Sequence, residues 1–234
     1  DSTFTKNKIV TIGITNQRET CLGWNLKTHE SPFNALVWQD KRTTDVCNKM
    51  KENKKLEQQI KHKTGLLCDP YFSATKMQWL LDNNDTLKSW AQKKELALGT
   101  IDSFLVWKLT DHTQFVTDHT NASRTLLYQL ESGSYDNELL DLFRIPRHTL
   151  AEIKDSIELF GYTKNCQVLP DGIPICCILG DQQAALYGQR CTTAGQIKIT
   201  YGTGAFILMN TGHTPFYSNK NLLTTVAYSK NNKR

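Results

Sequence analysis

Apolar positions come in short runs separated by dense polar clusters. Residues 8–14 (KIVTIGI) and 21–26 (CLGWNL) are apolar runs of strand length, and 34–40 (NALVWQD) has the form of a third. A basic helical region is expected over 42–62. In 70–83 (PYFSATKMQWLLDN) Ser73 is placed to cap a helix that carries Met77, Leu80 and Leu81 at helical spacing. Residues 98–110 continue the pattern, with Leu105, Val106 and Leu109 on one helical stripe, and 135–145 (YDNELLDLFRI) is a capped amphipathic helix stopped by Pro146. The run 173–181 (IPICCILGD) has too few polar positions for an exposed edge and predicts a buried strand, followed by a short helix over 182–189. Residues 195–212 (GQIKITYGTGAFILMNTG) predict strand, glycine-rich turn and strand. Mixed strands and helices without a repeat put the chain in the α/β class.

Composition adds bounds. With 234 residues, 39% hydrophobic and 22% charged, the chain is long enough for a substantial core in one or two domains. Its net charge of +5 is partly local, in 48–63 (NKMKENKKLEQQIKHK). That stretch predicts a solvated basic helix face, since no aromatic or glycine-rich nucleic-acid motif accompanies it. Seven cysteines, at 21, 47, 68, 166, 176, 177 and 191, form no C-x-x-C pair and no metal-ligand spacing. Free thiols in a reducing cytoplasm are expected, and there the sequon at 121–123 (NAS) goes unused. No apolar run approaches the ~20 residues of a spanning helix, so membrane insertion is not expected.

Four stretches carry residues suited to chemistry. The strand at 8–14 leads into Asn16, Gln17, Arg18 and Glu19. Neighbours on a regular strand face opposite ways, so Arg18 and Glu19 can serve one ligand only from a turn. Arginine only donates and ionised glutamate only accepts, a combination that suits a polyol; the plain alternative is a surface ion pair. Trp38, Tyr71 and Phe206 are either core aromatics or covers for a carbon chain. Asp181 stands where a buried strand gives way to a helix, the place where ligands gather in open α/β folds. It either caps the helix or takes a proton from a substrate hydroxyl. Gly202, Thr203 and Gly204 lie in the turn between two strands, where backbone N–H groups can approach an anion; an ordinary hairpin is the plain alternative. Neither a Walker A motif nor a G-x-G-x-x-G fingerprint occurs.

Seven ordered stretches, IGITNQRET, NALVWQDKRT, PYFSATKMQWLLDN, GTIDSFLVWKLT, TDHTNASRTLL, IPICCILGDQQAALYGQ and TYGTGAFILMNTG, mark a match that runs almost the length of the chain, from about residue 8 to about 228. Together they resemble the glycerol kinases, within the FGGY family of carbohydrate and polyol kinases. The resemblance implies an actin/hexokinase-like (ribonuclease H-like) ATPase fold, ATP and Mg²⁺ as cofactors, and transfer of phosphate to glycerol to give sn-glycerol 3-phosphate. It implies that Arg18, Glu19 and Tyr71 hydrogen-bond the glycerol hydroxyls, and that Trp38 and Phe206 wall its carbons. Asp181 would be the general base with Gln182 beside it on the substrate. Thr203, Gly202 and Gly204 would contact nucleotide phosphate.

The same resemblance sets further expectations. The family's first phosphate hairpin, D-x-G-T-T-like, has no counterpart here, and most of a second, adenine-holding domain is missing. The fold is therefore expected to be partial, with 1–190 as most of the substrate domain and 191–234 as the beginning of the nucleotide-binding domain. Both ends look cut, and the fragment alone is expected to be inactive. The glycine-rich regulatory loop of the bacterial type is not recognisable near 163–172, so inhibition by a sugar bisphosphate is not expected. Partners are expected to be glycerol and ATP, with no nucleic acid, and the full-length form is expected to be a cytoplasmic homo-oligomer. The alternatives are a kinase of another polyol or sugar in the same family, and a non-catalytic shortened product.

Overall fold

A computed structural model describes residues 9–202 and 204–234. In chain order the first elements are β1 (Ile12–Asn16), β2 (Cys21–Asn25), α1 (Thr44–Glu52), α2 (Lys54–Thr64), α3 (Ser73–Asp82) and α4 (Asp85–Gln92). There follow β3 (Leu96–Thr100), α5 (Ile101–Leu109), β4 (Val116–Asp118), α6 (His119–Ala122), β5 (Tyr128–Gln129), β6 (Ser134–Tyr135) and α7 (Asn137–Leu142). The last are β7 (Glu152–Lys154), β8 (Gly161–Tyr162), β9 (Pro174–Gly180), α8 (Asp181–Gly188), β10 (Ile197–Tyr201) and β11 (Ala205–Met209).

The strand that matters most is β9. It runs parallel to β1 and antiparallel to β8, which makes it the middle of a three-stranded sheet. Ile14, Ile175 and Ile178 of this sheet close a core with Val106, Val116 and Phe160. The strand pair β2·β3 lies against α3, α4 and α5, with Leu22 and Trp24 packed on Ala97 and Trp107. A larger core gathers apolar side chains of α1, α2, α3, α4 and α7, among them Cys47, Ile60, Met77, Leu80, Leu81 and Leu140. Polar side chains start the helices where the sequence supplies them: Asn53, Asn84 and Asp136 each accept a backbone N–H of the first turn. The β10·β11 hairpin projects Ile197, Ile199, Tyr201, Ile207 and Met209 into solvent from one face. The chain then returns, with Val226 buried against Ala122, Tyr128 and Leu130 and Ser229 bonded to Ser156.

Four local expectations are corrected. Residues 34–40 form no strand: only Leu36 bridges Cys21, and the Val37–Asp40 turn then bends the chain away. Ser73 is the first helical residue of α3 and does not cap it; its hydroxyl donates to the carbonyl of Glu19 at 3.2 Å. The basic region 42–62 is two helices, divided at Asn53, whose extended backbone ends α1 and whose side chain starts α2. Leu105 leaves the buried stripe and faces solvent, because Asp102, Ser103, Val106 and Trp107 take the inner face of α5. Lys8, at the start of the first expected strand, lies outside the described residues.

Candidate active site

The site is built at the common end of β1 and β9. Asn16 is the register partner of Gly180, so both strands stop at one level. Beyond Asn16 the chain makes a tight turn through Gln17, Arg18 and Glu19, and beyond Gly180 it enters α8 at Asp181. The turn allows Arg18 and Glu19 to face inward together, which a continued strand forbids. Gly180 leaves room for it: a Cβ there would stand 2.4 Å from Cγ of Arg18.

Arg18 is 4% exposed. Its Nη1 donates to Gln183 Oε1 (3.3 Å) and its Nη2 to the Tyr71 hydroxyl (3.4 Å). Its Nε lies 3.3 Å from Asp181 Oδ1 and 3.6 Å from Glu19 Oε1, and has no hydrogen-bond partner among the described residues. The buried Nε is thus held by two carboxylate ion-pair contacts that lack hydrogen-bond geometry, which leaves its N–H able to meet a docking group. Glu19, 2% exposed, is balanced by Arg124, whose Nε donates to Oε1 at 2.7 Å. Asp181 differs from both. Its side chain is 44% exposed; Gly180 holds the N-cap position of α8, and among the described residues Asp181 accepts no backbone N–H of the helix. The capping alternative is thereby removed, and a carboxylate open to the cavity is left. Gln182 Nε2 donates to its Oδ2 at 3.0 Å.

Aromatic side chains complete the walls. Trp38 stands edge-on to Tyr71 with ring centroids 5.5 Å apart. Burial, with the charge of Glu19 adding to it, raises the Tyr71 phenol above its ordinary value, so the hydroxyl stays a donor at neutral pH. Lys76, fully buried, fixes the approach to Tyr71 by donating to the carbonyls of Pro70, Tyr71 and Phe72. Arg18, Glu19, Trp38, Tyr71, Asp181, Gln182, Gly202, Gly204 and Phe206 all line one cavity of about 220 Å³, with Gln17 and Thr200. Gly202 and Gly204 close the β10·β11 turn with an N–H···O bond of 3.0 Å, and Thr203 lies outside the described residues. Two larger grooves, of about 500 and 370 Å³, lie elsewhere, and neither is lined by a buried charged side chain.

Several members of the site were not visible as such in the sequence. Arg124, in the turn just after α6, holds Glu19, Gln183 of α8 holds Arg18, and Lys198 is buried behind Gln182. The only signal for Lys198 was a cation between apolar neighbours on a strand. Beneath the site, Asn16 Nδ2 donates to Asn121 Oδ1 at 3.0 Å and to Asp102 Oδ1 at 3.4 Å. Asp118 collects Thr120, Asn121 and Ser156, while the Thr120 hydroxyl accepts the N–H of Gly180 (2.9 Å). The two strand ends that carry the site are thus tied through one buried polar network.

Residues 1–188 match the model of the FGGY family of carbohydrate kinases, N-terminal domain. The chain belongs to the FGGY family of carbohydrate kinases. It is 51% identical over 220 residues to a glycerol kinase of Burkholderia vietnamiensis, covering 94% of this chain and 44% of that protein. A glycerol kinase of Burkholderia pseudomallei is 50% identical over 225 residues, 96% of this chain and 45% of the relative. Among solved structures, Plasmodium falciparum glycerol kinase with ADP superposes with a TM-score of 0.90 at 37% identity, covering 95% of this chain and 45% of that one. A xylulose kinase of Lactobacillus acidophilus, 23% identical with a TM-score of 0.74, shares the fold over 86% of this chain and 40% of its own. These neighbours place this FGGY chain in the actin/hexokinase-like ATPase fold. The chain spans less than half the length of the curated relatives it matches.

Proposed function

We propose that the full-length protein is an ATP-dependent kinase of glycerol, and that the cavity between Arg18 and Asp181 is where the alcohol sits. One observation carries this reading. A buried Arg–Glu pair and an open aspartate from a distant segment converge on one small cavity with aromatic walls. About 220 Å³ lies below the usual range of drug-sized ligand cavities and suits a ligand of a few heavy atoms. The likeness to glycerol kinases at half identity supports glycerol over a larger sugar.

In this reading Glu19 accepts from one hydroxyl, and Arg18 and Tyr71 donate to others. Trp38 and Phe206 cover the carbons and exclude water. Asp181 accepts the proton of the terminal hydroxyl as its oxygen bonds the γ-phosphorus of ATP. The bond from that phosphorus to the β–γ bridging oxygen breaks, ADP leaves, and the product is sn-glycerol 3-phosphate. A weak base suffices, because positioning and charge stabilisation provide most of the catalysis in phosphoryl transfer. Gly202 and Gly204, with open space where a Cβ on Gly202 would stand, fit close approach of a phosphate to the turn. No cluster of three or more His, Cys, Asp or Glu side chains gathers among the described residues. Mg²⁺, carried by the nucleotide phosphates, would meet Asp181 as the carboxylate open to the cavity and would neutralise phosphate charge.

The domain assignment belongs to the same proposal: 1–190 as the substrate domain and 191–234 as the beginning of the second. The apolar face of the β10·β11 hairpin, exposed in this chain, supports it. Free cysteines throughout support a cytoplasmic setting, and among the described residues no helix is long and apolar enough to cross a membrane. Self-association of the full-length form is tested by its sedimentation. The reading itself is tested by ATP-dependent turnover of a substrate panel by the full-length protein. Glycerol is expected to give the highest kcat/KM, and preference for a pentulose overturns it. The present chain, assayed alone, is expected to turn over no ATP.

A further inference from the structure

We propose that Lys198 is a positioning residue for the general base: it sets the amide orientation of Gln182, and through that amide the carboxylate of Asp181. The inference rests on the reading of Asp181 given above.

Lys198 lies on β10 between Ile197 and Ile199, which point to solvent, while its own side chain turns inward and is 5% exposed. Its ammonium has two neutral hydrogen-bond partners, Gln182 Oε1 and Thr200 Oγ1, the second at 2.7 Å. Burial lowers the Lys198 ammonium from its ordinary value, and the nearby charge of Asp181 opposes that. A buried cation held by neutral oxygens is an expensive choice if packing were its only role. An apolar side chain on the same inward face of the hairpin would fill the space without that cost.

The chemistry of the contact supplies the reason. An ammonium only donates, and a primary amide has one accepting and one donating end. Lys198 therefore takes the oxygen of Gln182, and the NH₂ group is left to face Asp181 Oδ2, 3.0 Å away. The opposite orientation sets NH₂ against NH₃⁺ and a carbonyl oxygen against a carboxylate, two repulsions for two attractions. With Lys198 in place, the two carboxylate oxygens are each faced by a nitrogen: Oδ1 by Arg18 Nε at 3.3 Å and Oδ2 by the Gln182 amide. An exposed aspartate that makes no cap bond to its own helix is held in one rotamer by these contacts, and a proton acceptor must be held within a fraction of an ångström of its hydroxyl to act.

The test is a double-mutant cycle in the full-length protein, with kcat for glycerol phosphorylation, glycerol KM and thermal unfolding read on each member. Lys198→Met is expected to lower kcat about tenfold or more, the range that coupled neighbours show. Gln182→Leu is expected to lower kcat at least as much, and the double variant to be no worse than Gln182→Leu alone. Lys198→Arg, which keeps a cationic donor, recovers most of kcat, and it serves as the measured variant if Lys198→Met does not fold. Additive losses in the cycle overturn the inference, as does a Lys198→Arg no better than Lys198→Met. A wild-type protein that does not phosphorylate glycerol overturns the reading of the site and the inference with it. An active wild type with additive losses overturns the inference alone.

Discussion

Arg18 Nε stands 3.3 Å from Asp181 Oδ1, although a long stretch of chain separates the two residues. The contact follows from register: Asn16 and Gly180 are partners in the parallel pair β1·β9, so the turn after one strand and the helix after the other start side by side. The guanidinium is buried and the carboxylate is open. One group is fixed to bind and the other is free to meet a reacting hydroxyl.

Asp181→Asn in the full-length protein is expected to lower kcat by about 10²–10⁴, the usual contribution of a general base. Glycerol KM should change by no more than a few-fold, since the amide keeps the shape and one acceptor. Steady-state kinetics at saturating ATP separate the two, and equal losses in kcat and 1/KM point to a binding role only.

Glu19→Gln is expected to cost stability as well as affinity. Arg124 is buried, lies 5.0 Å from the Phe72 ring centroid, and has Glu19 as its ion-pair partner at 2.7 Å. Removing one partner of a buried pair leaves an uncompensated charge, which costs about 3–5 kcal/mol. Denaturant unfolding should show a midpoint well below wild type, and glycerol KM should rise in the same variant. An unchanged midpoint means that Arg124 finds another counter-charge.

Gly180→Ala places a Cβ 2.4 Å from Arg18 Cγ and 2.6 Å from its Cδ. The side chain of Arg18 must move, because the glycine sits on a strand end tied through its N–H to Thr120. Overpacking of this kind costs about 1–3 kcal/mol. The larger effect is expected on glycerol, with KM raised at least about tenfold by the displaced guanidinium. Wild-type KM with the alanine in place means that the Arg18 position does not govern binding.

The sequence showed the outline of this site more readily than its support. Arg18, Glu19 and Asp181 stand at ends of apolar runs, where an abrupt polar cluster is conspicuous, and the strands that deliver them have clear patterns. Residues 34–40 misled because a strand-like alternation there is used for one bridge at Leu36 and then a turn. Ser73 misled because its hydroxyl serves the Glu19 carbonyl, a contact made across the fold. Arg124, Lys198 and Gln183 act through residues far away in the chain, and their local sequence gives no sign of it. Long-range register, which brings them together, is set by the whole sheet and by the polar network under it.

That network should make stability depend on pH. Asp102 is fully buried and accepts from the hydroxyls of Thr100 and Thr117. Burial pushes its carboxyl from an ordinary 3.8 up to about 6; the two hydroxyls oppose the rise and the charge of Asp118 adds to it. A raised value means that the folded protein holds this proton more tightly than the unfolded chain does. The stability it contributes is therefore full below pH ~4, is lost as pH rises to about 6, and stays lost above that. Asp102→Asn cannot ionise and lacks this slope. Wild-type stability minus that of the variant is expected to fall across this window by at most about 1.4 kcal/mol per pH unit and to be flat from pH ~7 to ~8. Asp118, also raised by burial, is present in both proteins and largely cancels. A difference that stays constant from pH ~4 to ~7 means that Asp102 titrates alike folded and unfolded. Because Asp102 bonds Asn16, the last residue before the Arg18 turn, the same titration bears on the floor of the candidate site.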